Sequence, residues 1–164
     1  MNMTLLDPQV QQQLDLLGVV YEALECDPAL ADTEAFCASY DIPKDQAANA
    51  IVVVGKGDPK RYFACLVLAT TKIDANHRLS ALVGIKRLSF APAEETRDLT
   101  GQALGGVTVF GLPASIPLII DSAVMEKPWV IVGGGNRSSK LRLAPAELLK
   151  IPGAQVAAIA IPRE

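Results

Sequence analysis

The amino-acid sequence predicts an α+β domain, a mixed and strongly curved sheet with flanking helices. Three observations point there. Apolar runs of strand length outnumber helical segments, the two kinds do not strictly alternate, and from Gly105 onward the strand-like runs are broken by Gly and Pro. With 164 residues, 50% of them hydrophobic, and a mean hydropathy of +0.27, the chain can bury one sizeable core but is short for two. A single domain over 1–164 is expected, without internal repeat or linker.

Each element has its own local warrant. Asp7 as N-cap, Pro8 at the first helical position and an apolar face of Val10, Leu14 and Leu17 predict a surface helix that stops at Gly18. "VVYEALEC" (19–26) reads as a strand, and "DTEAFCASYDIP" (32–43) as a short helix with Phe36, Cys37 and Tyr40 inward. "NAIVVVG" and "RYFACLVLATT" are strand-length apolar runs joined by the turn-rich "KGDPK", which predicts a hairpin buried on both faces. "DANHRLSALVG" (74–84) reads as a helix capped by Asp74, with Leu79, Leu82 and Val83 inward and Gly84 as its stop. "APAEETRDLTG" (91–101) reads as another, with acids in its first turn and Gly101 after its end. Strand-like runs then follow through residue 143, with a short helix at "PAELLK" and a last strand "QVAAIAI".

Several function classes are disfavoured at once. A formal net charge of −3 argues against a protein that holds nucleic acid by a bulk basic surface. Contact with nucleic acid would be local, at Lys56, Lys60 and Arg61, at Lys86 and Arg87, or at Arg137, Lys140 and Arg142. Lys56, Lys60 and Arg61 otherwise read as a solvated hairpin tip. Cys26, Cys37 and Cys65 are odd in number and widely spaced, so buried thiols are expected rather than a metal site or disulfides. The single His77 reads as a surface imidazole, and no nucleophile elbow, phosphate loop or metal motif is present. No apolar run reaches the roughly 20 residues of a membrane span, and "MNMTLLDPQVQQQ" has neither a basic nor an apolar leader segment. A cytoplasmic location without membrane attachment is the expectation.

What remains is glycine. "GQALGGVTVFGLP" (101–113) and "GGGNRSS" (133–139) free the backbone to approach a ligand and offer its N–H groups to an anion or a developing oxyanion. The competing reading is turns and bulges in a bent sheet. The two segments flank the strand "PLIID", whose final Asp121 is costly in an apolar run unless it is paired or hydrogen-bonded. Asp121 is therefore expected to orient a loop or to bind an amine, with a purely structural role as the equal alternative.

Taken together, "AANAIVVV", "CLVLATTKIDAN", "GGVTVFGLP", "PLIIDSAVM" and "WVIVGGGNRSSKLRLAPAELL" resemble the YbaK/EbsC family, the prolyl-tRNA-synthetase-associated editing domain, from about residue 20 to 161. The resemblance implies a mixed, barrel-like sheet with peripheral helices. It also implies hydrolysis of mischarged aminoacyl-tRNA in trans, with no cofactor or metal. The implied partner is the tRNA 3′ end, with weak association with a synthetase. Backbone groups in a glycine loop would hold the aminoacyl moiety while water or the terminal ribose assists attack, which suits an activated ester.

Carried over residue by residue, the implied catalytic set is Asn49, Gly105, Gly106, Thr108 and Gly111. The implied substrate-binding set is Val109, Phe110, Asp121, Gly133, Gly134, Gly135, Arg137 and Ser138, with Val107 inside the first loop. Three positions depart from the family pattern. Asn49 stands where the family has a lysine, Val109 where it usually has a proline, and Gly133 where a serine is frequent. An amide donates a hydrogen bond but does not clamp a phosphate as an ammonium does. Three readings stand: a deacylase that clears a small wrong amino acid, a non-catalytic module that binds an amino acid, a nucleotide or a tRNA end, and, from the acidic charge and apolar composition, a structural or interaction subunit with a vestigial pocket.

Overall fold

The computed structural model describes residues 5–57, 59–102 and 106–163. The first helix, α1 (Pro8–Leu17), forms as its sequence dictates. Asp7 accepts from the amides of Gln9 and Val10, Gly18 closes the helix in the left-handed conformation, and Val10 and Leu14 are buried. The strand β1 (Glu22–Glu25) follows, then a 3₁₀ turn (Pro28–Leu30) and α2 (Thr33–Tyr40). In α2, Phe36 and Cys37 point inward, but Tyr40 is 40% exposed and only stacks on Phe36, at 4.8 Å between ring centroids.

The hairpin of β2 (Ala48–Gly55) and β3 (Arg61–Leu68) is the centre of the fold. Period-two alternation sends Ala64, Leu66 and Leu68 into one core and Phe63, Cys65 and Val67 into another, so both faces are buried as the apolar runs require. After β4 (Thr71–Ile73), the expected helix at 74–84 winds as a π turn (Ala75–Leu79) before α3 (Ser80–Val83). Asp74 contacts His77 rather than a backbone amide, at 3.1 Å, and Leu82 is exposed while Leu79 is buried. Gly84 ends α3 in the left-handed region. The strand β5 (Leu88–Phe90) and α4 (Ala93–Thr100), closed by Gly101, precede β6 (Leu118–Asp121), β7 (Val130–Gly133) and β8 (Ser139–Leu143). "PAELLK" forms a 3₁₀ helix (Pro145–Lys150).

The sheet is mixed but not barrel-like. A five-stranded sheet of order β5-β2-β3-β6-β9, with β9 spanning Gln155–Ala157, a three-stranded sheet β1-β8-β7 and a pair β4-β10, with β10 spanning Ala160–Pro162, are all open. Two physical causes keep them apart. The large and three-stranded sheets meet through one isolated parallel bridge, Ala47 to Ile131, instead of a continuous ladder. The run expected as one last strand is cut in two, because the Asp121 carboxylate captures the amides of Ile159 and Ala160 at 2.9 and 3.0 Å. β9 then pairs with β6, and β10 crosses to β4.

The main core fills the space between the large sheet, the three-stranded sheet and α1, with Leu14, Leu66, Phe110, Ile120, Val132 and Leu141 among its members. A second cluster lies on the other face of the large sheet. A third, of Cys26, Ala31, Phe36, Cys37, Ala47 and Ile131, lies under α2. Cys26, Cys37 and Cys65 are free, buried thiols. Among the described residues no helix is long and apolar enough to cross a membrane.

Candidate active site

A cavity of about 250 Å³ lies where α2 crosses the junction of the two larger sheets. Asp32, Thr33 and Phe36 wall it from α2 and its N-cap, residues 47–51 from the start of β2, Val107 from the first glycine segment, and Ile131, Gly133 and Lys140 from the β7–β8 hairpin. It falls just below the roughly 300–1,000 Å³ of sites for drug-sized ligands, so it suits a small group.

Its polar atoms come from three chain segments. Asn49 is half-buried, and its Oδ1 accepts from the Thr33 hydroxyl at 2.5 Å, which leaves the Nδ2 donors of the amide for other partners. Asp32 makes no side-chain cap bond to α2 and pairs instead with Arg137 Nη1 at 3.2 Å, while Arg137 Nε donates to the Pro28 carbonyl. Lys140 is 6% exposed; its Nζ donates to the Ala31 carbonyl at 2.6 Å and lies 5.4 Å from the Phe36 ring centroid. Burial disfavours the charged form and pulls the Lys140 pKa below its ordinary value, and the same cause raises the thiols of Cys26 and Cys37.

The two glycine segments lock into each other. A Cβ on Gly106 would sit 1.9 Å from the Asn136 carbonyl oxygen, and one on Gly133 would sit 2.5 Å from the Gly106 oxygen and 2.6 Å from the Val107 oxygen. The serine frequent in the family therefore does not fit at Gly133 unless this backbone moves. Gly134 packs against Ser139 in the same way, and Gly135, at φ +92°, packs against Asp7 and Val10 of the α1 terminus. The Gly135 amide donates to the Gly106 carbonyl at 2.7 Å, and Asn136 Oδ1 accepts from the Ser138 amide and from the Ser138 and Ser139 hydroxyls. These glycines mainly allow close backbone approach.

Residues 27–151 match the aminoacyl-tRNA editing domain family, about three quarters of the chain. The chain belongs to that family. The editing domain is also similar to three solved structures. One, a hypothetical protein, is 23% identical with a TM-score of 0.84, over 93% of this chain and 99% of that one. A second, a candidate trans-editing enzyme for prolyl-tRNA synthetase, is 28% identical with a TM-score of 0.80, over 95% and 99% of the two chains. A third, from work on computational epitope grafting onto scaffold proteins, is 26% identical with a TM-score of 0.80, over 93% and 96%.

Of the residues singled out from the sequence, the editing domain brings Asn49, Val107 and Gly133 to the cavity wall, with Gly106 packed directly behind Gly133. Gly105 lies outside the described residues. Thr108 is fully buried; its amide donates to Gln102 at 2.8 Å, and its hydroxyl has no hydrogen-bond partner among the described residues. Phe110 is in the main core, the Gly111 amide donates to Gln13 at 2.5 Å, and Val109 lines a separate cleft of about 470 Å³ with Leu112, Pro113 and Ile151. Asp121 is not at the cavity. It is 3% exposed and accepts from three backbone amides, those of Ala123, Ile159 and Ala160. Arg137 and Ser138 brace the neighbouring loop from outside the wall.

Sequence reasoning did not assign Asp32, Thr33, Phe36, Ile131 or Lys140 to this site. Lys140 did carry a signal. In "SKLRL" the apolar Leu141 and Leu143 share one face, and Lys140 shares the other with Arg142, which stacks on Trp129 at 4.2 Å. Only the placement of α2 over that face distinguishes the buried lysine from the exposed arginine.

Proposed function

We propose that this editing domain is an aminoacyl-tRNA deacylase acting in trans, which hydrolyses the ester of a tRNA mischarged with a small amino acid. The observation that carries the reading is the small cavity bounded by Asn49, Thr33, Val107 and Gly133 in a chain of the editing family. The similarity to a candidate trans-editing enzyme for prolyl-tRNA synthetase supports the same class of substrate.

In this reading the aminoacyl group enters the cavity and its ester faces the β2 end. The amides of Thr108, Gly111 and Gly135 already donate within the fold, so the first donor to the ester is a side chain: Asn49, oriented by Thr33 through its Oδ1. Gly133 and Val107 form the close wall, where the interlock with Gly106 excludes any larger side chain. Water or a ribose hydroxyl of the substrate attacks the positioned carbonyl. Positioning and a polar wall are enough for an activated ester. Gly106, Gly134 and Gly135 act by holding this wall in shape.

The purified protein, incubated with a panel of aminoacyl-tRNAs, should release at least one small amino acid faster than the spontaneous rate. Release at the spontaneous rate for every member would sink the proposal. Asn49→Ala should slow the active member by at least about a hundredfold, the low end of what a lost transition-state donor costs. A second reading, binding without turnover, draws on the neutral Asn49–Thr33 pair at this position. It would be supported by saturable binding of an aminoacyl-tRNA that is not hydrolysed.

A further inference from the structure

We propose that the exposed ring of Phe90 and the cations of Lys56, Arg61, Lys86 and Arg87 form a platform for single-stranded RNA beside the cavity, the ring stacking on a base and the cations holding the phosphates that follow it. The deacylase reading identifies that strand as the 3′ end of the tRNA. The platform itself rests on three features of the five-stranded sheet.

The first is position. β3 pairs with β2 along its whole length, and the Ala47 carbonyl accepts from the Ala69 amide on that side. The bridge from Ala47 to Ile131 and the ladder from residues 53–55 to β5 therefore both lie on the other edge of β2. Between them, residues 48–51 have no strand on that edge among the described residues, and they line the cavity. β5 meets β2 where the cavity ends: the Ala91 amide donates to the Val52 carbonyl at 2.9 Å, and Phe90 stands opposite Val53. Asn49, Ile51 and Val53 alternate onto one face, and the pairing puts Phe90 on that same face, about 13 Å along the strand from Asn49 at roughly 3.3 Å per residue. That is the reach of the nucleotides next to an ester held at Asn49.

The second is exposure. In the row Phe63, Val53, Phe90, which crosses three strands, Phe63 and Val53 are buried and Phe90 is 56% exposed. β5 is the edge strand of its sheet. Charges beside an edge strand discourage pairing with another chain, but an exposed phenyl ring on the same strand works against that purpose. Both residue types serve a single strand of RNA, the ring by stacking on any base and the cations by following the backbone.

The third is charge. Residues 55–61 and 84–91 carry five of the chain's 15 basic residues and one of its 18 acidic ones, Asp58, which lies outside the described residues. The fold brings the two segments together. The Lys56 amide donates to the Arg87 carbonyl at 3.0 Å, Ile85 packs against Gly55, and Gly55 stands between Arg61 and Leu88. The Arg61 guanidinium lies 5.3 Å from the Phe63 ring centroid, on the face that carries Phe90, whereas Lys60 pairs with Glu95, which also bonds Tyr62. Lys56, Arg61, Lys86 and Arg87 are exposed and have no ion pair among the described residues.

The test measures binding of a short fluorescent RNA ending in ACCA, by anisotropy across a salt series. The proteins are the wild type, Phe90→Leu, Phe90→Trp and the double variant Lys86→Ala with Arg87→Ala. These side chains are exposed and none lines the cavity, so each variant should melt within a few degrees of wild type. Phe90→Leu should weaken binding at least about fivefold at unchanged salt slope, the loss of one stacked base, and Phe90→Trp should keep wild-type affinity or exceed it. The double variant should lower the magnitude of the log–log salt slope by about 1.4, at roughly 0.7 per phosphate of a single strand. It carries the test if a change at Phe90 unfolds the chain. No measurable affinity in the wild type, or folded variants with wild-type affinity and slope, would overturn the platform. The deacylase reading is judged separately by the aminoacyl-tRNA panel. Release there with RNA binding unchanged in the variants leaves the deacylase without the platform, and weakened RNA binding in variants of a protein that releases nothing leaves the platform without the deacylase.

Discussion

Gly133 shows how strongly one residue's identity can depend on a distant backbone. Its missing side chain is required by carbonyl oxygens some 26 residues away in the chain, at 2.5 and 2.6 Å from where a Cβ would lie. Gly133→Ser and Gly106→Ala should each destabilise by about 1–3 kcal/mol or more, the cost of overpacking a site that cannot open cheaply. Chemical denaturation would show it as a lower midpoint at unchanged slope. Cys65 makes a prediction about pH. Burial pushes its thiol up to about 12 from an ordinary 9.0, so above pH 9 the unfolded chain loses a proton that the folded chain keeps. The unfolded state then binds fewer protons and stability falls as pH rises from 9 towards 12, by up to roughly 4 kcal/mol at about 1.4 kcal/mol per unit. Cys65→Val should show a flatter alkaline limb when stability is measured against pH.

Among the elements, the chain end beyond β6 depends on Asp121. Its carboxylate accepts the amides of Ile159 and Ala160 and caps the 3₁₀ turn through Ala123, which separates β9 from β10 and sends them to different sheets. Asp121→Ala leaves three buried or half-buried amides without that acceptor and should cost about 2–4 kcal/mol. Hydrogen exchange should accelerate first at Ile159 and Ala160. Exchange at residues 47–51, on the cavity side, should change less, because Asp121 has no contact with that wall. α1 is a milder case. Asp7→Ala removes its N-cap acceptor and should cost about 1 kcal/mol, read as a shift in thermal midpoint.

At the scale of the whole molecule, the negative charge limits how tRNA could be held. Of the cations nominated for tRNA contact, Lys60 and Arg137 pair with the carboxylates of Glu95 and Asp32, so the local set at Lys56, Arg61, Lys86 and Arg87 is the main one for phosphates. The binding constant for tRNA should therefore fall with salt at a log–log slope of magnitude below about 3, corresponding to few released counterions. A steep slope would point to a basic face assembled in some other way. The sequence by itself determined α1, α2, α4 and the hairpin, and the stop of α3. Asp7, Pro8 and Gly18 set α1, Gly84 and Gly101 stop their helices in left-handed geometry, and the paired apolar runs at 49–71 could only be strands buried on both faces. These are contacts among near neighbours, or alternations with a fixed period, and so they are written locally. It also marked Asn49, Val107 and Gly133 through their place in glycine-rich and strand-start motifs. Only the tertiary structure decided that the sheets stay open, that Asp121 serves the fold, and that Lys140 is buried at the cavity while Arg142, two residues on, stacks on Trp129 at the surface. The physical reason is that each of these depends on which segment is laid against the strand. Period-two alternation tells which face a side chain takes, and only the docking of α2 tells whether that face meets water.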